Sequence, residues 1–245
     1  MEAGTIYVVG VIFIATVVRS TLGFGEALIA VPLLALRLPV AVAAPLAVLV
    51  SVTVAAVIVA QDWRRIEMRS ASWLIVSALG GIPLGLLLLA RVDDAVVKAI
   101  LGTVIAIFAL YSLTARNRLH LPHDHWGWLI GSGFCSGVLG GAYGMNGPPL
   151  AVYGALRRWS PRHFRATLQG YFLVASAVGM AGYASLGLWS AALTRYYLLS
   201  LPAAVVGIGI GRRLNHGLKG DAFLRVVHGG LIGIGLVLIV QALPR

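Results

Sequence analysis

The stretch Gly140-Gly141-Ala142-Tyr143-Gly144-Met145-Asn146-Gly147-Pro148-Pro149 decides the fold, because it sets glycine and proline inside a segment that is otherwise apolar from 126 to 156. Unpaired backbone N–H and C=O groups are costly in lipid, so irregular backbone persists at membrane depth only where protein or a polar cavity satisfies it. A helix broken there marks a site. Asn146 suits an N-cap, and prolines are tolerated just after it because first-turn N–H groups have no helical partner, so helix should resume at Pro148. The free N–H groups and positive dipole end of that second arm would offer an anion a place inside the membrane. The plainer alternative is a kinked packing helix whose glycines only permit close approach.

Composition sets the class. The chain has 245 residues, 59% hydrophobic and 11% charged, with a mean hydropathy of +0.92, which is the balance of a polytopic membrane protein. Its formal charge of +11 is spread over short connections between apolar segments, the pattern of inner-membrane loops and not of a nucleic-acid surface, so no nucleic-acid partner is expected. The single cysteine, Cys135, has no internal disulfide partner. The N-terminus lacks a basic leader, so the first apolar run is expected to be kept. The longest connection, 114–125, carries Arg116, Arg118, His120, His123 and His125. Those histidines have a spacing that would suit a metal, but a basic surface loop explains them with less, and neither metal nor cofactor is expected.

Apolar segments fall at 6–36, 40–60, 72–90, 95–113, 126–156, 164–186, 191–211 and 221–241. The first and fifth are overlong and broken near the middle, by Gly23-Phe24-Gly25 and by the Gly140 to Pro149 stretch. Their arms, at about 22 and 15 Å, are each short of a hydrocarbon core of about 30 Å, so each reads as a hairpin that enters and returns. Placed without gaps, Gly23 falls on Gly140 and Pro32 on Pro149. The expected architecture is therefore all-α and polytopic, with two inverted repeats, 6–113 and 126–241, each a broken, re-entrant hairpin-like helix plus three transmembrane helices, joined by a basic cytoplasmic linker at 114–125.

Loop charge orients the repeats. Connections holding Arg64, Arg65 and Arg69, Arg116 and Arg118, Arg157 to Arg165, and Arg212 to Lys219 should be cytoplasmic, while those at Arg37, Arg91 to Asp94 and Gly187 to Ser190 should be outside. This requires an even number of crossings between Arg118 and Arg157, which a hairpin supplies. Both termini then lie outside. Trp63, Trp73, Trp126, Trp128, Trp159 and Trp189 fall near segment ends, as interface anchors do.

Gly147-Pro148-Pro149-Leu150 followed by Phe164-Arg165-Ala166-Thr167-Leu168, with Gly23-Phe24-Gly25 and Val31-Pro32-Leu33-Leu34 as the matching first half, resembles the TauE/SafE family of membrane permeases over essentially the whole chain. The chain departs from the family's denser glycine run at Gly25-Glu26. The resemblance implies export of a small anion, sulfite or an organosulfonate, across a bacterial cytoplasmic membrane, with other anions open.

Ionisable groups at membrane depth mark function by default. Arg19 would attract an anion, whereas Glu26, in the first turn of the second arm, would compete with one unless it took up a proton, which makes Glu26 the candidate for proton coupling. A structural Arg19–Glu26 ion pair is the alternative. The candidate substrate-binding set is Arg19, Thr21, Gly23, Gly25, Glu26, Tyr143, Gly144, Asn146, Gly147, Arg165 and Gln169, with Ser51 a weaker member. His228 reads as a packing or interface histidine. Expected partners are the small anion, the lipid bilayer, protons as coupling ion, and a second copy of the chain through stripes such as Gly207, Gly209 and Gly211 or Gly229 to Gly235, which would pack helices either within or between protomers. Two rival functions are weighed: an anion channel or carrier of another solute, and an intramembrane hydrolase built on Ser132 and His228. The second lacks an acid to orient its histidine, so no enzyme is expected.

Overall fold

A three-residue break within the first long apolar run sets the arrangement of the N-terminal half. Helix α1 (Ala3–Leu22) stops at Gly23-Phe24-Gly25, and α2 (Glu26–Ala35) begins at the predicted place. In this computed structural model, residues 3–62, 68–114, 126–157, 159, 161–215, 236 and 240 are described, except for some side chains at segment ends. The described chain is helical with no strand. It continues through α3 (Val40–Asp62), α4 (Met68–Arg91), α5 (Asp94–Thr114), α6 (Trp126–Tyr143), α7 (Gly147–Leu156), α8 (Pro161–Ser185) and α9 (Ala191–Asn215). Among the described residues four helices are long and apolar enough to cross a membrane, α1, α3, α4 and α9, so the arm before the first break, expected to fall short of the hydrocarbon core, has the length to cross it because its 20 residues span about 30 Å. The ten residues of α2 and of α7 make rods of about 15 Å, too short to cross. The last apolar segment, with His228 and Gly229 to Gly235, lies outside the described residues, as does the linker after Thr114 with its histidines.

The breaks need glycine for a definite reason. Gly25 (φ 97°) and Gly144 (φ 66°) take left-handed backbone that a side chain would strain. The second break is narrower and later than expected. Gly140 and Gly141 are still helical, and the irregular residues are Gly144, Met145 and Asn146, so the second break begins four residues after Gly140. Helix resumes at Gly147, one residue before the expected Pro148.

Helix α2 turns back along α1. Its start meets α1 near Arg19, while the Tyr7 hydroxyl donates to the Leu33 carbonyl at the far end. The Arg37 guanidinium sits 4.5 Å from the centre of the Tyr7 ring, and the Val40 N–H donates to Asp94 at 2.9 Å. The start of α1, the α2–α3 connection and the start of α5 therefore share one end of the molecule, and these are regions where basic residues are sparse.

The most extensive packing joins helices from different halves: α4 on α6 and α1 on α9, followed by α3 on α8. Glycine creates the first of these. A methyl group at Gly137 would lie 2.3 Å from the Ala78 carbonyl oxygen, one at Gly141 2.3 Å from that of Ile82, and one at Gly85 2.1 Å from that of Val138, so the two backbones touch along their crossing. Gly207 and Gly211 do the same for α9 on α1, near Thr16 and Ser20. These two belong to packing within the protomer, whereas Gly209 faces open space. Outward faces carry the apolar surface expected next to lipid, including Trp73 and Trp126, whose rings pack edge to face at 4.6 Å.

Candidate functional site

Arg19 stands on the last turn of α1 with 2% of its surface exposed, and its surroundings are assembled from three other helices. Nη1 donates to the Glu26 carboxylate at the start of α2 and, at 2.6 Å, to the Ser51 hydroxyl on α3. Nη2 donates at 2.8 Å to Gln169 Oε1 on α8. The guanidinium also lies 5.4 Å from the centre of the Phe172 ring. Glu26, equally buried, accepts a further hydrogen bond from Thr16 at 3.2 Å. Every other donor is accounted for except those on one edge of the guanidinium: Arg19 Nε is buried with no hydrogen-bond partner. An orphaned charged donor is costly to bury, which points to a ligand on that edge.

Gln169 closes the frame. Arginine can only donate, so the amide oxygen must face Arg19, and its nitrogen donates at 2.6 Å to the Gly23 carbonyl freed by the first break. One side chain of the second half thus holds both the cation and the broken backbone of the first. Both its polar atoms are engaged, so Gln169 supports the site from behind.

The two helix starts face each other across a half-open pocket lined by residues of both breaks. Gly25, Glu26, Ala27 and Leu28 line it from α2, Gly144 to Pro148 from the second break and α7, and Arg19, Ser51 and Phe172 complete it. It spans about 310 Å³ to its open mouth, of which only about 20 Å³ is free to the centre of a water molecule, room for about one water as it stands. The N–H groups in the first turn of α2 have no helical acceptor. On α7 the same turn is poorer in donors, because Pro148 and Pro149 have none.

The second break is held by neutral groups. Ser136 donates to the Asn146 carbonyl at 2.6 Å and pairs with the Tyr171 hydroxyl at 2.8 Å, while Tyr183 donates to the Gly140 carbonyl at 3.1 Å. Asn146 occupies the position before α7, but its side chain does not make the expected cap. Its amide nitrogen donates to Ser176 at 3.3 Å, and its buried Oδ1 has no partner. That oxygen lies over Gly140, where an added methyl group would sit 1.8 Å from it.

Of the predicted binding residues, Arg19, Gly25, Glu26, Gly144, Asn146 and Gly147 line the pocket, and so does the weaker candidate Ser51. Gly23 is tied to Gln169 behind it. Thr21 turns away, bonding the Val17 carbonyl at 2.8 Å and approaching that of Gly211 on α9. Tyr143 also turns away, donating to the Val97 carbonyl on α5. The Arg165 side chain lies outside the described residues. Sequence reasoning missed Phe172 and Thr16. Each is three residues from a residue that was chosen, Gln169 and Arg19, and therefore on the same helix face.

Among the described residues no cluster of His, Cys, Asp and Glu is arranged to hold a metal. The pocket is lined by a buried arginine and by the start of α2, which is chemistry suited to an oxyanion.

Comparison with known proteins gives the family. Residues 8–238 match the family model described as sulfite exporter TauE/SafE. A protein of Cupriavidus necator described as a probable sulfite/organosulfonate exporter TauE is 27% identical over 208 residues, covering 84% of this chain and 81% of its own. No solved structure matches the chain. With the family model matching most of the chain and helices apolar enough to cross a membrane, the chain is a multi-pass membrane transporter belonging to the TauE/SafE sulfite exporter family.

Proposed function

We propose that this transporter exports a small oxyanion, sulfite or an organosulfonate, across a bacterial inner membrane by alternating access at the pocket between the two broken helices. The observation that carries the proposal is the buried Arg19 Nε with no partner, in a pocket where two helix starts converge. The description of the Cupriavidus relative supports the substrate class. The pairing of α4 with α6 and of α1 with α9, about a central α3–α8 contact, is the pattern that two inverted repeats produce and supports placing the site at their interface. Loop charge supports an outside location for both termini.

Glu26 is the proposed coupling group. An anion arriving at Arg19 meets a carboxylate already bonded there, and a proton taken up by Glu26 relieves that conflict. The Arg19–Glu26 pair is then the resting arrangement of the site.

Thermal stability of the purified protein in detergent, scanned against sulfite, sulfonates, sulfate, thiosulfate and carboxylates, tests the proposal, because a ligand specific to the folded state raises apparent stability. Sulfite or a sulfonate is expected to stand out, with the shift lost in Arg19→Gln. A shift that survives in Arg19→Gln places the ligand elsewhere and defeats the assignment of the pocket.

A further inference from the structure

Between its two glycines the first break carries a single side chain, the phenyl ring of Phe24. Gly23 (φ 88°) and Gly25 (φ 97°) both take left-handed backbone, and glycine passes between such conformations and ordinary ones at little steric cost. Phe24 therefore stands on a two-glycine hinge, the kind of short segment that absorbs backbone rotation when packed helices change arrangement. Its flanks are fastened. The Gly23 carbonyl accepts from Gln169 at 2.6 Å, and Glu26 at the start of α2 is paired with Arg19. Rotation at the break falls on the segment that carries the ring.

The ring rests on the other break. A β-carbon at Gly147, the first residue of α7, would lie 3.3 Å from Phe24 Cδ2 and 3.9 Å from Phe172 Cζ, so glycine lets both rings approach that backbone. Gly147 and Phe172 line the pocket. Phe24 stands outside that lining, packs against Gly147 and is itself partly exposed. Phe172 is anchored by the Arg19 guanidinium, 5.4 Å from its centre, and by the Tyr171 ring at 5.9 Å. Of the two rings at Gly147, the one on the hinge is the one placed to move.

Resting on the reading of this pocket as the site of the transported anion, we infer that Phe24 is a gate. In this structure it closes one side of the pocket by seating on Gly147 beside Phe172, and rotation at Gly23 and Gly25 lifts it to open that side. The seal needs bulk at 24 and the absence of a side chain at 147.

Two experiments on the full chain test the gate, both in a Cys135→Ser background. Ser51→Cys places a thiol in the pocket, and its reaction with a small impermeant thiosulfonate reagent is followed in right-side-out and inside-out membrane vesicles. With Phe24 present the thiol is expected to react from one side only. In Phe24→Ala the rate from the second side is expected to rise by about tenfold or more, because the closed arrangement no longer dominates the population. The second experiment locks the gate. In Phe24→Cys/Gly147→Cys the β-carbons stand 3.9 Å apart, within the disulfide range of about 3.5–4.5 Å. An oxidant is expected to link them and to stop methanesulfonate flux in proteoliposomes, a reductant to restore it, and neither single-cysteine variant to respond; sulfite is avoided as the probe because it cleaves disulfides.

One-sided reaction that persists in Phe24→Ala, or a disulfide that leaves flux unchanged, overturns the gate while leaving the pocket as the site. Equal reaction from both sides with Phe24 present overturns the seal, and failure of the two cysteines to link overturns the contact on which it rests. A thiol unreactive from both sides in every variant removes the pocket as a site reached from water, and this inference with it. The disulfide experiment does not use Phe24→Ala, so poor folding of that variant does not protect the inference.

Discussion

Arg19→Met is the most informative single change, because it separates what the ion pair contributes to folding from what the cation contributes to transport. The substitution keeps an unbranched apolar stem and removes the hydrogen bonds to Glu26, Ser51 and Gln169. Glu26 is then left with only the Thr16 hydroxyl, at 3.2 Å and 2% exposure. Stranding a buried charge in this way costs about 3–5 kcal/mol. Replacing both partners with apolar residues removes the stranded charge, and Arg19→Met/Glu26→Met is expected to regain most of that loss and come within about 1 kcal/mol of wild type. Transport is expected to be abolished in both variants, since neither has a cation to meet the anion. Unfolding titrations in mixed micelles supply the stability of wild type, Arg19→Met and the double variant, and proteoliposome flux supplies activity. If the double variant is no more stable than Arg19→Met, Glu26 is not stranded by loss of Arg19 and the pair is not the organising contact of the site. If the double variant transports, Arg19 is not the anion's partner.

Two further outcomes are expected. Gly137→Ala forces a methyl group to within 2.3 Å of the Ala78 carbonyl oxygen on α4 and should cost about 3 kcal/mol or more, while Gly131→Ala on the same helix meets nothing within 4 Å and should be within about 1 kcal/mol of wild type in the same titration; equal effects would mean that α4 and α6 do not meet along their backbones. In a Cys135→Ser background, single cysteines at Pro39 and Leu186 should react with an impermeant thiol reagent added to intact cells, and one at Arg118 only after permeabilisation; the reverse pattern would invert the topology drawn from loop charge.

The parts of this fold that were legible in the sequence are those where lipid makes an exception expensive. Glycine and proline inside an apolar run, and an arginine and a glutamate at depth, are rare enough to stand out, and they led to both breaks and to the two charged residues of the pocket. The register of the second break was misjudged by four residues because Gly140 and Gly141 resemble breakers in isolation. In the fold they are helical, and Gly140 is small so that Asn146 can lie against it. Asn146 was read as a cap because capping is a local rule, yet its amide is claimed by Ser176, thirty residues away, a partner that only the tertiary fold supplies. Phe172 and Thr16 are unexceptional in apolar helices and acquire meaning only beside Arg19. The glycine crossing of α4 and α6 shows in the sequence as fours-spaced glycines, but nothing local says which helix receives them.

The locality of the Arg19–Glu26 pair bears on how the chain enters the membrane. α1 is synthesised well before its main packing partner, α9, so its arginine precedes most of the groups that later surround it. An unpaired arginine at membrane depth opposes insertion. Glu26 lies only seven residues away, across the Gly23 to Gly25 turn, so the first hairpin carries its own counter-ion and can mask the charge as soon as α2 follows α1. Ser51 and then Gln169 follow later in the chain and complete the hydrogen bonds of the guanidinium apart from Nε. The same pair that rests in the finished site thus serves first as a passenger's disguise during biogenesis.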